Sequence, residues 1–146
     1  MSRISHLPSV PSEESYRSSN DVLAQNSELQ TAPHYFRGGL SPRTRRRVQD
    51  YIMVHLNQRI TNDALAQVAG LSVCYFARAF KETEGMSPHR YVLNCRVKRA
   101  MELLLHTQMP LSEIAVAMGF SDQSHYTRCF REICGLTPGS YRWLTR

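Results

Sequence analysis

The chain has 146 residues, of which 42% are hydrophobic, enough for one domain of ordinary size or two very small ones. Its net charge of +6 is uneven, because residues 1–40 carry −1 and residues 41–146 carry +7. It has no apolar run of membrane-spanning length, no zinc-ligand spacing and no apolar export signal at its start. We therefore expect a cytoplasmic protein with free thiols, no metal or other cofactor, and nucleic acid rather than a membrane surface as its polyanionic partner.

The first 40 residues predict a mostly disordered tail or linker. Residues 1–33 are rich in Ser, Pro, Asn, Gln and Glu and have neither a helical nor a strand period. The sequence RGG, from Arg37 to Gly39, is expected to form a hinge at its end. Ordered structure is expected from residue 41, because Ser41 can cap a helix that has Pro42 at its first position.

A helix-turn-helix unit is predicted over about residues 61–85. Thr61 is a plausible N-cap for a short helix. Gly70 can adopt the left-handed backbone conformation that ends such a helix. Ser72 then caps a second helix, which stops at Gly85. Two helices joined by a short turn that contains glycine are typical of this motif.

A long helix and a second unit of the same kind follow. Residues 88–105 have apolar positions at helical spacing and predict one linker helix of about 27 Å. The second unit is predicted over about residues 111–135, and a short helix ends the chain. We expect Arg96 to be a partly buried structural residue rather than a DNA contact, and Trp143 to cover the core of the second unit.

The two units are near-copies of one sequence. Residues 65–72 align with residues 49 positions later, and residues 75–91 align with residues 50 positions later. Identical pairs include Gly70/Gly119, Arg78/Arg128, Phe80/Phe130, Gly85/Gly135 and Tyr91/Tyr141. A one-residue insertion lies between Ser121 and His125. Two such units in a basic monomer could contact two neighbouring segments of one DNA duplex.

The second helix of each unit has an apolar face and a small, basic face. Phe76 and Phe80 are one turn apart and are expected in the core, as are Tyr126 and Phe130. The opposite faces suit a major groove, and we expect base contacts from Val73, Cys74, Ala77, Arg78, Gln123, Ser124, Thr127 and Arg128. DNA-backbone contacts are expected from Thr61, Lys81, Arg90, Ser121 and Arg131. For Arg78 and Arg128, a guanine contact competes with a phosphate contact or an ordinary surface position.

The stretch IAVAMGFSDQSHYTRCFREICGLTPGSYR resembles the signature of the AraC/XylS family of bacterial transcription regulators. It has the Gly-Phe turn, an aromatic residue before Thr-Arg-x-Phe-Arg, then Gly-x-Thr-Pro and Tyr-Arg. Together with GLSVCYFARAFKETEGMSPHRYV, the resemblance covers about residues 41–146. It implies an all-α, homeodomain-like fold of two helix-turn-helix subdomains joined by a long linker helix. It also implies promoter binding at adjacent major grooves and, usually, activation through contact with RNA polymerase.

Most members of that family add an effector-binding or dimerisation domain. Here about 40 residues precede the DNA-binding part, so we expect either a short stand-alone member or the C-terminal part of a longer regulator, with no small-molecule effector bound by this chain. A methyl-accepting DNA-repair enzyme would need a reactive Cys95, which is expected to face the core, so no catalytic residue is assigned. A protein-interaction module without DNA binding is disfavoured by the outward Arg78, Arg128 and Arg131.

Overall fold

A computed structural model describes residues 38–146, and the regular structure in that range is entirely helical. The helices are α1 Pro42–Val54, α2 Asn62–Ala69, α3 Val73–Glu84, α4 Pro88–His106, α5 Leu111–Ala117, α6 Gln123–Cys134 and α7 Pro138–Leu144. The predicted all-α fold is confirmed, and α2–α3 and α5–α6 are the two helix pairs that the predicted helix-turn-helix units cover. The long helix α4 extends one residue beyond the predicted end. Residues 1–37 of the predicted tail lie outside the described residues.

The packed part of the chain begins before the predicted position 41. Leu40 is only 7% exposed, and its backbone N–H donates to Thr83 Oγ1 at 2.8 Å. The prediction of a tail through residue 40 is therefore wrong at its last position, because a single buried leucine before a helix cap gives no periodic signal. The predicted cap of α1 is confirmed, since Ser41 Oγ accepts from the Thr44 N–H at 3.2 Å.

Contacts along the described chain define two compact units. The N-terminal unit contains residues 38–54 and 61–89, and the C-terminal unit contains residues 55–60 and 90–146. The connector between α1 and α2, residues 55–60, thus packs with the C-terminal unit. Most of α4 belongs to that unit as well.

The core of the N-terminal unit comes from one face of each of its helices. Val48 and Ile52 of α1, Leu65 of α2, and Phe76 and Phe80 of α3 are almost fully buried. The two phenylalanine rings lie 5.5 Å apart, as their spacing of one helical turn predicts. Both predicted caps are present, because Thr61 Oγ1 accepts from the Ala64 N–H and Ser72 Oγ from the Tyr75 N–H.

The core of the C-terminal unit draws on all its helices. Its buried members are Leu93, Val97, Ala100, Met101, Leu104, Ile114, Ala115, Met118, Phe120, Tyr126, Cys129, Phe130 and Tyr141. The expectation for Trp143 is wrong, because this side chain is 78% exposed. The short helix α7 buries Pro138 and Tyr141. Two residues after Tyr141, the helical rotation turns Trp143 towards solvent.

Tyr126 carries a hydroxyl group into the core. The residue is fully buried, and its hydroxyl has no hydrogen-bond partner among residues 38–146. Burial raises the pKa of this phenol well above its usual value, so it stays neutral. The equivalent residue of the first copy is Phe76, which has no hydroxyl to satisfy.

We expect Tyr126→Phe to leave the free energy of unfolding unchanged or to raise it by up to about 1 kcal/mol, because it removes an unsatisfied polar group and keeps the ring. The reverse change in the other copy, Phe76→Tyr, should lower the free energy of unfolding by about 1–3 kcal/mol. Urea denaturation followed by circular dichroism measures both. A loss of more than about 1 kcal/mol in Tyr126→Phe would show that the hydroxyl has a partner after all.

Candidate nucleic-acid interface

We call the helices α3 and α6 the recognition helices. They have the same length and occupy matching positions in the two copies of the repeat. Each has 12 residues and ends at a left-handed glycine, Gly85 or Gly135. They begin at Val73 and Gln123, so the offset between them is constant, and the inserted residue lies in the turn before α6. The cap accordingly changes from Ser72 to Asp122, whose Oδ1 accepts from the His125 N–H at 2.7 Å.

Ser121 occupies that longer turn. It was expected to contact the DNA backbone, and it is exposed just before the cap of α6. Its Oγ lies 3.0 Å from His125 Nδ1, so the hydroxyl and the imidazole hold each other in place. His125 also meets the Phe120 ring edge-on, with the ring centres 5.4 Å apart.

The residues predicted to read bases from α6 share one surface concavity. Gln123, Ser124 and Arg128 are exposed and Thr127 is half-buried. The concavity measures about 810 Å³ and is lined by Gln123, Ser124, Thr127, Arg128, Arg131, Glu132 and Thr137. Its lining offers an amide, hydroxyl groups and two guanidinium groups, which can donate to base edges or to phosphate.

The matching face of α3 has a different chemistry. Val73, Cys74, Arg78 and Lys81 are exposed and Ala77 is half-buried. Apart from Arg78 and Lys81, this face offers small apolar groups and one thiol, which suit contact with a thymine methyl group rather than polar base edges. At the start of α2, Thr61 Oγ1 accepts the cap hydrogen bond, and its hydroxyl proton is left to donate elsewhere.

Arg90 and Glu132 form an ion pair beside the α6 concavity. Arg90 Nη1 lies 2.7 Å from Glu132 Oε1, and the two side chains are 39% and 61% exposed. Arg90 was expected to contact phosphate, whereas Glu132 was not assigned to the interface. Helical spacing could have indicated Glu132, because it lies one turn after Arg128 on the same helix.

Arg96 is a structural residue, as predicted. It is 7% exposed, and its guanidinium donates to the carbonyl oxygens of Leu56 at 3.0 Å and of Gln58 at 2.6 Å. It also lies over the Phe120 ring, 5.9 Å from the ring centre. Burial lowers the pKa of this guanidinium. The residue therefore fixes residues 55–60 within the C-terminal unit rather than facing a ligand.

The four cysteines are free thiols. Cys74 is exposed on α3, whereas Cys95 is buried in α4, as expected for a residue that faces the core. Burial raises the pKa of the Cys134 thiol to about 11, so this thiol stays protonated near neutral pH. Residues 38–146 contain no cluster of His, Cys, Asp and Glu that could hold a metal ion. Among the helices of this range, none is both long and apolar enough to cross a membrane.

Comparison with known proteins identifies the family. A family model described as a helix-turn-helix domain matches residues 65–143. The chain is 37% identical over 99 residues to LumQ of Photobacterium leiognathi, a probable transcriptional regulator. A solved regulator from Chromobacterium violaceum with an AraC-type DNA-binding domain is 26% identical, with a TM-score of 0.67 over 70% of this chain and 92% of that one. The chain belongs to the AraC/XylS family.

This AraC-type domain also resembles one solved with DNA. The DNA-binding domain of AdpA, a global transcriptional factor crystallised with a target DNA, is 28% identical, with a TM-score of 0.65 over 68% of this chain and 89% of that one. The family consists of DNA-binding transcription regulators rather than enzymes. The match to LumQ covers 68% of this chain but only 40% of LumQ, so this chain spans less than half the length of that relative.

Proposed function

We propose that this AraC-type chain binds double-stranded DNA sequence-specifically and regulates transcription from promoters, as an activator that contacts RNA polymerase. The observation that carries the proposal is the repeated exposure of an arginine at the same place on the two recognition helices, Arg78 and Arg128, among small side chains. An arginine fork fits O6 and N7 of guanine, and small neighbours let a helix enter the major groove. The co-crystal of AdpA with its target DNA supports the same use of this fold.

In this proposal each recognition helix reads one of two neighbouring major-groove segments. The base-reading residues are Val73, Cys74, Ala77 and Arg78 on α3, and Gln123, Ser124, Thr127 and Arg128 on α6. Thr61, Lys81, Ser121 and Arg131 contact the DNA backbone and set the position of the helices. The role places the protein in the cytoplasm, and no small-molecule effector is assigned to this chain.

DNA affinity is expected to fall steeply with salt. If about six to eight basic groups contact phosphates, the slope of log K against log salt should be roughly −5 to −7. Between 50 and 200 mM salt, this slope weakens binding by roughly 10³- to 10⁴-fold. Fluorescence anisotropy on duplexes selected from genomic fragments measures the slope. A slope near zero would remove the basis for a nucleic-acid partner.

Three alanine variants should distinguish arginines that read bases from an arginine that contacts phosphate. Arg128→Ala and Arg78→Ala should each weaken the free energy of binding to specific DNA by roughly 1–3 kcal/mol. Each should also relax the base preference at one position, and that position should differ between the two variants. Arg131→Ala should instead weaken specific and random DNA about equally, because a phosphate contact carries no sequence information. Selection of bound sequences for each variant is the measurement. If Arg78→Ala leaves every base preference intact, Arg78 does not read a base.

A further inference from the structure

A carboxylate lies among the cations of the α6 concavity. Arg128 and Arg131 line this concavity, and so does Glu132. Under the proposed function, the concavity faces a polyanion, which a carboxylate repels. A negative charge at this place weakens DNA binding unless a cation compensates for it.

Arg90 supplies the compensating cation. Its Nη1 lies 2.7 Å from Glu132 Oε1, and the pair joins the first turn of α4 to the last turn of α6. A cation in the first turn of a helix opposes the helix dipole, so the position of Arg90 does not favour α4 itself. Glu132 is an acidic group that pairs with the Arg90 side chain there.

The pair has a direct effect on counterion release. An arginine that contacts a phosphate displaces a condensed cation from DNA and adds roughly 0.9 to the salt slope. An arginine neutralised by a carboxylate adds little, because the pair brings no net charge to the duplex. Arg90 can contribute its full charge to phosphate only when Glu132 releases it.

We propose that Glu132 restrains Arg90 and thereby limits the affinity of the C-terminal unit for DNA. Glu132 is a positioning residue, because it acts through Arg90 and needs no contact with a base. The proposal rests on the proposed function, since it concerns how the same face meets phosphate. It revises the expectation for Arg90, which in the native chain contacts Glu132 rather than adding a free phosphate contact.

A double-mutant cycle on the full chain tests the proposal. The variants are Glu132→Gln, Arg90→Gln and the double variant, with a random-sequence duplex as the probe. Glu132→Gln should steepen the salt slope by roughly 0.9 and raise affinity roughly 3- to 10-fold at about 100 mM salt. Adding Arg90→Gln should return the slope to that of the native protein, because the released cation is then absent.

Glu102→Gln is the matched control. Glu102 pairs with Arg99 on the outside of α4, and neither residue lines the concavity. This change removes the same charge and should leave the salt slope as it is. Circular dichroism spectra and urea midpoints show whether each variant is folded, and a merely structural role for Glu132 would change those midpoints but not the slope.

Each other outcome has a definite meaning. If Glu132→Gln leaves the salt slope unchanged, the proposal that Glu132 restrains Arg90 is wrong. A steeper slope that persists in the double variant also overturns it, because the carboxylate then acts without Arg90. Failure of the native protein to bind any duplex contradicts the proposed function itself, whereas normal native binding with an unchanged Glu132→Gln slope contradicts only this inference.

Discussion

Gly119→Ala is expected to lower the free energy of unfolding of the C-terminal unit by about 3–5 kcal/mol. Gly119 has a φ of +76°, a conformation that L-residues with a side chain rarely adopt. An added Cβ would lie 2.5 Å from the Leu56 carbonyl oxygen and 3.1 Å from the Asn57 carbonyl carbon. Both are backbone atoms, so relief requires the connector to move away from the turn. Urea denaturation measures the loss.

Gly135→Ala separates backbone strain from the close contact. Gly135 has a φ of +79°, but an added Cβ there would meet none of the described atoms within 4 Å. Its replacement should therefore cost only the conformational term, about 1–2 kcal/mol. Equal losses in the two variants would show that the connector yields freely and that the short distances at Gly119 carry no energy.

Arg96→Met is expected to lower the free energy of unfolding by about 2–4 kcal/mol. Methionine fills much of the space of the arginine stem but leaves the carbonyl oxygens of Leu56 and Gln58 without their donor. The variant no longer buries a cation, which is favourable. The loss of two charge-assisted hydrogen bonds outweighs this gain, because the carbonyl groups stay in place without a donor. Arg96→Lys should fall between the native protein and Arg96→Met, because an ammonium group lacks the planar fork that reaches two acceptors.

Arg99→Met on the same helix is the control for charge and helix propensity. Arg99 is exposed and pairs with Glu102 one turn later, so its loss should cost less than about 1 kcal/mol. Thermal unfolding by circular dichroism compares the three variants. If Arg96→Met is as stable as Arg99→Met, the buried guanidinium is not what holds the connector.

Local sequence signals predicted most of the fold. The caps at Ser41, Thr61 and Ser72 need only a side-chain oxygen and the three residues that follow it, and all three form as expected. The buried faces of the recognition helices follow from apolar residues one helical turn apart. Burial of Arg96 was foreseeable because it lies between apolar positions of α4.

Features that depend on tertiary packing could not be predicted in the same way. Nothing local distinguishes Leu40 from a tail residue, because its partner Thr83 lies 43 positions away. Trp143 was expected to cover the core of the second unit, whereas the direction of one short helix leaves it in solvent. Glu132 was overlooked because a charge on an exposed face becomes informative only when its partner Arg90 is located. The base and phosphate contacts remain predictions.

The connector over residues 55–60 makes the C-terminal copy depend on a chain segment outside its own repeat. In sequence the two copies are a tandem repeat, a pattern typical of interchangeable units. Yet Arg96 of the C-terminal unit bonds to carbonyl groups about 40 residues earlier in the chain, before the first helix-turn-helix pair. A fragment that starts at residue 90 would lack those acceptors and bury a cation without them. A C-terminal unit with all of its buried hydrogen bonds therefore requires residues 55–60, which precede the first helix-turn-helix pair in the chain.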